Sequence, residues 1–257
     1  MKKKNIHQLF DLKGKTAVIT GASRGLGKAM AIGLAQAGAN IVITDVLDTK
    51  KAVKEIKELG RKSFGLDVDI TNEEQIDEMV KKTVAKLKKI DIFINNAGVY
   101  FPTPMPDMKE EDWDKIINVN LRGSTMCARA VGKHMIKQKT GNIINIASVA
   151  GIMAFAQSAA YNESKAALIM LTKTLAAEWA PYNIRVNAIC PGVFVTDMTK
   201  GLLKDKNFQQ MIKSSVPLSR HGIPDELAGA AVYLASDASS YTTGHALVVD
   251  GGWTIHL

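Results

Sequence analysis

The stretch that decides the fold is Lys15-Thr-Ala-Val-Ile-Thr20 running into Gly21-Ala-Ser-Arg-Gly25-Leu-Gly27. After its lysine this run is apolar or β-branched, and it stops at a glycine, so Lys15–Thr20 is predicted to be a buried strand. From Leu26 to Ala37 the apolar residues recur at helical spacing, and Gly38 ends the run. Glycines 21, 25 and 27 therefore lie where a strand turns into a helix. Glycine permits the tight turn and lets backbone N–H groups approach a diphosphate. The N-terminus of the following helix adds a field favourable to negative charge. Glycine spacing alone also describes an ordinary turn, but this context favours a dinucleotide-binding loop. Gly21, Ser23, Arg24, Gly25, Leu26 and Gly27 are its candidate contacts.

The next strand, Asn40–Thr44, ends at Asp45, 18 residues after Gly27. A carboxylate there can accept hydrogen bonds from adenosine ribose hydroxyls, and it repels a 2′-phosphate. That favours NAD, with NADP as the alternative. Arg24, Lys50 and Lys51 are a counter-signal, since cations nearby can take a 2′-phosphate. The two lysines read equally well as a solvated helix face.

Outward from this unit the same alternation continues. Lys62–Leu66, Asp91–Ile94, Asn142–Ile146, Ile184–Ile189 and Ala246–Val249 read as further strands. Glu73–Lys88, Glu110–Lys137, Ser158–Ala180 and Asp225–Ala235 read as helices. Strand–helix–strand repetition with right-handed crossovers predicts an α/β Rossmann fold. Its doubly wound parallel sheet has about seven strands, with helices on both faces. No linker, repeat or low-complexity tract breaks residues 1–257, so one domain is expected.

Composition sets bounds on function. The 257 residues are 46% hydrophobic, an ordinary globular value that argues against disorder. Cys127 and Cys190 sit in apolar surroundings and read as reduced packing residues. Neither they nor His7, His134, His221, His245 and His256 show metal-ligand spacing, so no metal is expected. The first residues, from Met1 to His7, lack a signal peptide's apolar run, and no stretch is long enough to span a bilayer. A cytoplasmic protein without a membrane partner is the expectation. The net charge of +8 raises nucleic acid as a partner. The lysines, however, are dispersed along helices among glutamates, with no aromatic stacking platform, and nucleic acid is not expected.

Chemistry gathers further along. Ser148 follows the strand at Asn142–Ile146, and Tyr161 stands four residues before Lys165. A helix stacks that pair on one face. An ammonium beside a phenol favours the phenolate and lowers its pKa, making Tyr161 usable as a general acid or base. Alone, the pair also fits an ordinary surface contact.

With these motifs the chain resembles the short-chain dehydrogenase/reductase family, from about Leu12 to Gly252. The matching segments are Thr20–Gly27 (TGASRGLG), Asn95–Gly98 (NNAG), Asn118–Leu121 (NVNL), Ser148, Tyr161–Lys165 (YNESK) and Pro191–Thr196 (PGVFVT). The resemblance implies that Tyr161 exchanges a proton with the substrate oxygen and Ser148 holds that oxygen. It implies that Lys165 binds the nicotinamide ribose and depresses the Tyr161 pKa, and that Asn120 supports a water linking Lys165 to solvent. It also places Asp67 and Val68 at the adenine, and Asn95, Ala97 and Gly98 at the end of the fourth strand. Pro191, Gly192, Val193 and Thr196 would hold the nicotinamide amide and diphosphate. Asn95 can equally tie strands together, and Asp67 can be a turn residue.

The resemblance further implies a homotetramer, with the long helices and Trp253–Leu257 at its interfaces. Residues from about 193 to 217 would form a substrate lid. Residues 99–106 and 148–161, including Tyr100, Phe101, Met153, Phe155 and Gln157, would wall the pocket. Thr196–Thr199 and His245–Trp253 look similar to sugar-acid dehydrogenases of the gluconate 5-dehydrogenase type. The expected substrate is thus a small alcohol or ketone, a sugar acid or polyol first. The 3-oxoacyl-acyl-carrier-protein reductases share most of these motifs and are the alternative, with a broad carbonyl reductase beside them. A non-catalytic nucleotide-sensing protein is the alternative of another class.

Overall fold

The computed structural model describes residues 4–255, so the readings of Met1–Lys3, His256 and Leu257 lie outside it. Helix α1 (Ile6–Phe10) precedes strand β1 (Thr16–Thr20), α2 (Gly25–Gln36), β2 (Asn40–Asp45), α3 (Lys50–Glu58) and β3 (Ser63–Asp67). Then come α4 (Glu73–Leu87), β4 (Ile92–Asn95), α5 (Glu110–Ile117), α6 (Ser124–Gln138), β5 (Gly141–Ile146) and α7 (Ala159–Trp179). The chain continues through β6 (Ile184–Pro191), α8 (Lys206–Ser215), α9 (Asp225–Ala235) and β7 (Ala246–Val249).

The seven strands form one sheet in the order β3-β2-β1-β4-β5-β6-β7, and every neighbouring pair is parallel. Side chains alternate between its faces. In β1, Ala17 and Ile19 pack with Met30 and Leu34 of α2 and with Leu227, Ala231 and Leu234 of α9. Val18, between them, packs on the opposite face with Val42, Phe93 and Ile143 and with residues of α4 and α6. Both faces are covered, which is why the strands read as unbroken apolar runs. Burying one such Val, Ile or Leu contributes about 1.5–3 kcal/mol.

The strand order reverses direction between β1 and β4. There the loops leaving the two strands diverge and open a cleft at their carboxyl ends.

The segment expected as one helix over Glu110–Lys137 is broken. A π-helical turn over Asn118–Gly123 separates α5 from α6. The cause is the Asn120 side chain, which turns inward. Its Oδ1 accepts from Val99 N–H at 2.8 Å and its Nδ2 donates to Val99 O at 2.9 Å. Gly123 permits the close approach, because a Cβ there would stand 2.8 Å from Ile70 O. Helix α4 begins as read, with Asn72 Oδ1 accepting from Gln75 N–H at 3.1 Å. Among the described residues no helix is long and apolar enough to cross a membrane.

Candidate active site

The turn after β1 is shaped by its glycines. Gly21 and Gly25 have φ of +61° and +57°, the left-handed region that favours glycine. Helix α2 starts at Gly25 with no side chain capping its first N–H groups. Those donors face the cleft, available to an anion. The Asn96 amide fastens the loop, donating to Thr20 O at 2.9 Å and Gly21 O at 2.8 Å. In return Thr20 Oγ1 accepts from the N–H groups of Asn96 and Ala97, at 3.0 and 3.1 Å.

Asp45 stands at the end of β2, 9% exposed and at the cleft wall. Its Oδ2 accepts from Ser23 N–H at 3.0 Å and from Ser23 Oγ at 2.7 Å, and its Oδ1 accepts from Leu47 N–H at 3.1 Å. Ser23 therefore orients the carboxylate. Arg24 reaches across to Asp197, Nη1 to Oδ2 at 2.7 Å, with both groups exposed.

The cleft holds about 520 Å³. Asp45 and Val68 line one end, and Ser148, Tyr161, Lys165 and Phe194 the other. Gly21, Arg24, Gly25, Leu26, Gly27, Ala97 and Gly98 lie between, with Pro191, Gly192 and Thr196 along the opposite wall.

The remaining predicted site residues stand outside that lining. Asn120 is fully buried behind Gly98, where a Cβ would approach Asn120 Oδ1 to 3.2 Å and Lys165 Nζ to 3.6 Å. Asn95 points into the sheet, its amide donating to Ser124 O at 2.8 Å and Asn145 Oδ1 at 3.2 Å, so it ties strands together. Asp67 is exposed beside Leu66 and Glu74, away from the cleft, and Val68 and Asp69 take the wall instead. Val193 packs with the cluster of Val149, Ile212 and Trp253.

At the far end Ser148 and Tyr161 stand together on the cleft wall. Ser148 accepts from Ala150 N–H at 3.1 Å. Lys165 is buried, donating to Ile146 O at 2.9 Å, and its Nζ lies 5.5 Å from the centre of the Tyr161 ring. Burial lowers the Lys165 pKa to about 8, with Cys190 opposing. The phenol departs from the expected direction. Burial pushes Tyr161 up to about 12, Ser148 pulls it down, and Tyr100 adds to the rise. In the protein alone, loss of water around the phenolate outweighs a nearby ammonium that burial itself discourages. The two cysteines are buried and unpaired, and burial raises Cys127 to about 12 and Cys190 to about 11.

Three residues were missed by sequence reasoning although they stood inside or beside quoted motifs. Asn96 and Thr20 fasten the glycine loop, and Asp69 lines the cleft wall beside Val68. The first two lay in the NNAG and TGASRGLG segments, where position rather than residue type assigns the task. Among the described residues no group of His, Cys, Asp and Glu is placed to hold a metal ion.

The family model described as enoyl-(acyl carrier protein) reductase matches residues 21–254. A 2-dehydro-3-deoxy-D-gluconate 5-dehydrogenase of Dickeya dadantii is 39% identical, covering 95% of this chain and 97% of the relative. An NAD-dependent glycerol dehydrogenase of Listeria innocua is 42% identical, covering 96% of each chain. A gluconate 5-dehydrogenase of Burkholderia cenocepacia, solved with NADP and tartrate, superposes with a TM-score of 0.95 at 38% identity, covering 98% of this chain and 100% of that one. The chain belongs to the short-chain dehydrogenase/reductase family.

Proposed function

We propose that the chain is an NAD(P)-dependent oxidoreductase acting on a secondary alcohol or its ketone, a sugar acid or polyol first. One observation carries this reading. Ser148, Tyr161 and Lys165 meet at one end of a cleft that runs past a glycine loop to Asp45.

The residues fit a dinucleotide. Two left-handed glycines and the uncapped N-terminus of α2 suit a diphosphate, and Asp45, with acceptor capacity left on Oδ1, suits a ribose hydroxyl. When bound, the nicotinamide group supplies or accepts the hydride. Asp45 disfavours a 2′-phosphate, so NAD is the first cofactor and NADP the second. Pro191, Gly192, Val193 and Thr196 are assigned to the nicotinamide side, and Ala97 and Gly98 to the cleft floor.

In reduction the Tyr161 phenol gives its proton to the carbonyl oxygen; in oxidation Tyr161 first passes that proton on, and its phenolate then takes the substrate's hydroxyl proton. Ser148 donates to that same oxygen, a pre-positioned partner for the charge developing there. Lys165, with its pKa drawn down to about 8, holds a proton that can pass onward near neutral pH. Asn120 braces the loop at Val99 and supports the route to solvent. Residues 193–217, which include α8, act as the lid, and the chain works as one domain of 257 residues in the cytoplasm as a homotetramer. Its partner is a small molecule rather than nucleic acid. The names of the gluconate and glycerol dehydrogenases above support the substrate class.

The test is Tyr161→Phe. Turnover of a polyol and sugar-acid panel should fall about 10²–10⁴-fold. Cofactor affinity, read by nicotinamide fluorescence, should hold. Wild-type turnover in the variant overturns the assignment. Cofactor binding by the wild type with no turnover across the panel favours the nucleotide-sensing alternative.

A further inference from the structure

Tyr100 leaves β4 through a loop that is fixed at two places. Val99, before it, is clamped on both backbone groups by Asn120. Thr103, after it, donates its N–H to Gln157 O at 2.8 Å. Gln157 is itself held at φ +59°, an uncommon conformation for a side-chain-bearing residue.

Between these anchors the Tyr100 hydroxyl lies 3.0 Å from Ser158 Oγ. Ser158 is 3% exposed and immediately precedes α7, the helix that presents Tyr161 and Lys165. Ser158 has one hydroxyl proton, and it goes to Ala156 O at 3.1 Å. The Tyr100 hydroxyl is therefore the donor in its contact with Ser158. The Tyr100 ring meets the Tyr161 ring edge-on, centroids 5.0 Å apart at 63°. That is a favoured aromatic arrangement, and it constrains both χ angles of the inner ring.

Tyr161 thus has two neighbours, the Lys165 ammonium and a ring tied to its own helix. We propose that Tyr100 is a positioning residue, holding the Tyr161 ring in its reactive orientation and shielding the phenolic oxygen from water. This rests on Tyr161 as the acid–base group. The ring does the positioning, and the hydroxyl serves as a tether to α7.

Tyr100→Ala and Tyr100→Phe separate the two parts, measured on gluconate and glycerol with NAD. Tyr100→Ala should lower kcat about tenfold, the scale of an aromatic pair of this geometry. It should leave cofactor affinity unchanged and move the pH dependence of kcat to lower pH, because the phenol regains water. Tyr100→Phe keeps the ring and should restore wild-type kcat. Two results overturn the proposal. One is a Tyr100→Ala enzyme with wild-type kcat and pH profile. The other is a Tyr100→Phe enzyme as impaired as Tyr100→Ala, which would assign the effect to the tether.

A readout free of turnover keeps this separate from the proposed activity. Near-ultraviolet tyrosinate absorbance, taken in each background as the difference from the same background carrying Tyr161→Phe, follows ionisation of Tyr161, and in the Tyr100→Ala background it does so free of the neighbouring phenol. It should begin at lower pH in the Tyr100→Ala background. An unchanged titration overturns the proposal even if no alcohol is ever oxidised. Far-ultraviolet dichroism confirms that each variant is folded.

Discussion

A Cβ at Gly27 would stand 2.4 Å from Gly21 O, 2.5 Å from Asn96 Nδ2 and 2.9 Å from Ala22 Cα. Two of those atoms are backbone and the third is pinned by hydrogen bonds, so none can give way cheaply. Gly27→Ala should destabilise the protein by about 1–3 kcal/mol and weaken cofactor binding with it. Denaturant unfolding with and without NAD measures both, and a wild-type midpoint would contradict the close packing. At this scale much of the site was legible, because Gly21, Gly25, Asp45, Ser148, Tyr161 and Lys165 are chemical types that few other tasks require in that order. Asn95 and Asp67 show where legibility stops. A side chain's sequence neighbours do not say whether it faces cleft, sheet or solvent. Asn95 turns into β5 and Asp67 out to water. The Tyr161 phenol shows a second limit. Helical spacing revealed its cationic neighbour, whereas the burial that outweighs it depends on the whole wall.

Among the elements, the π turn at Asn118–Gly123 was hidden for a definite reason. Its residues keep helical spacing, and only a tertiary bond from Asn120 to the Val99 backbone draws the extra residue into the turn. Asn120→Leu should therefore act on an element rather than on a contact. It strands the Val99 N–H and carbonyl without partners, at about 1–3 kcal/mol for each group left buried and unpaired. The unfolding midpoint should fall while helix content holds, and kcat should fall as the Val99–Tyr100 loop slackens. A midpoint equal to wild type would show the turn to be self-sustaining. The seven strands were readable to within two residues because both sheet faces are buried. Helix α8 was not foreseen. Its cap, Asp205 accepting from the N–H groups of Asn207 and Phe208, is clear only once the lid's path is known.

At the scale of the whole molecule the charge of +8 is spread over helix faces, and the apolar surface is more telling. Met170 on α7 is 59% exposed, Ile255 85%, and Tyr241 is fully uncovered. Large apolar groups left open on the long helix and beside the C-terminus suit contact between copies of the chain. A homotetramer should register in solution near four times the 27.8 kDa chain mass. Light scattering that returned a single chain mass would refute it.

The exposed ion pair between Arg24 and Asp197 joins the turn after β1 to the chain beyond β6, across the mouth of the cleft. An adenosine ribose carrying a phosphate would compete for the same guanidinium. Arg24 cannot serve both partners with its full strength, so docking such a cofactor would release Asp197 and the segment that bears it. Which dinucleotide binds and how long the product stays would then be one property. Beside Asp45, which weighs against that phosphate, Arg24 would tie the choice of coenzyme to the tempo of the exit.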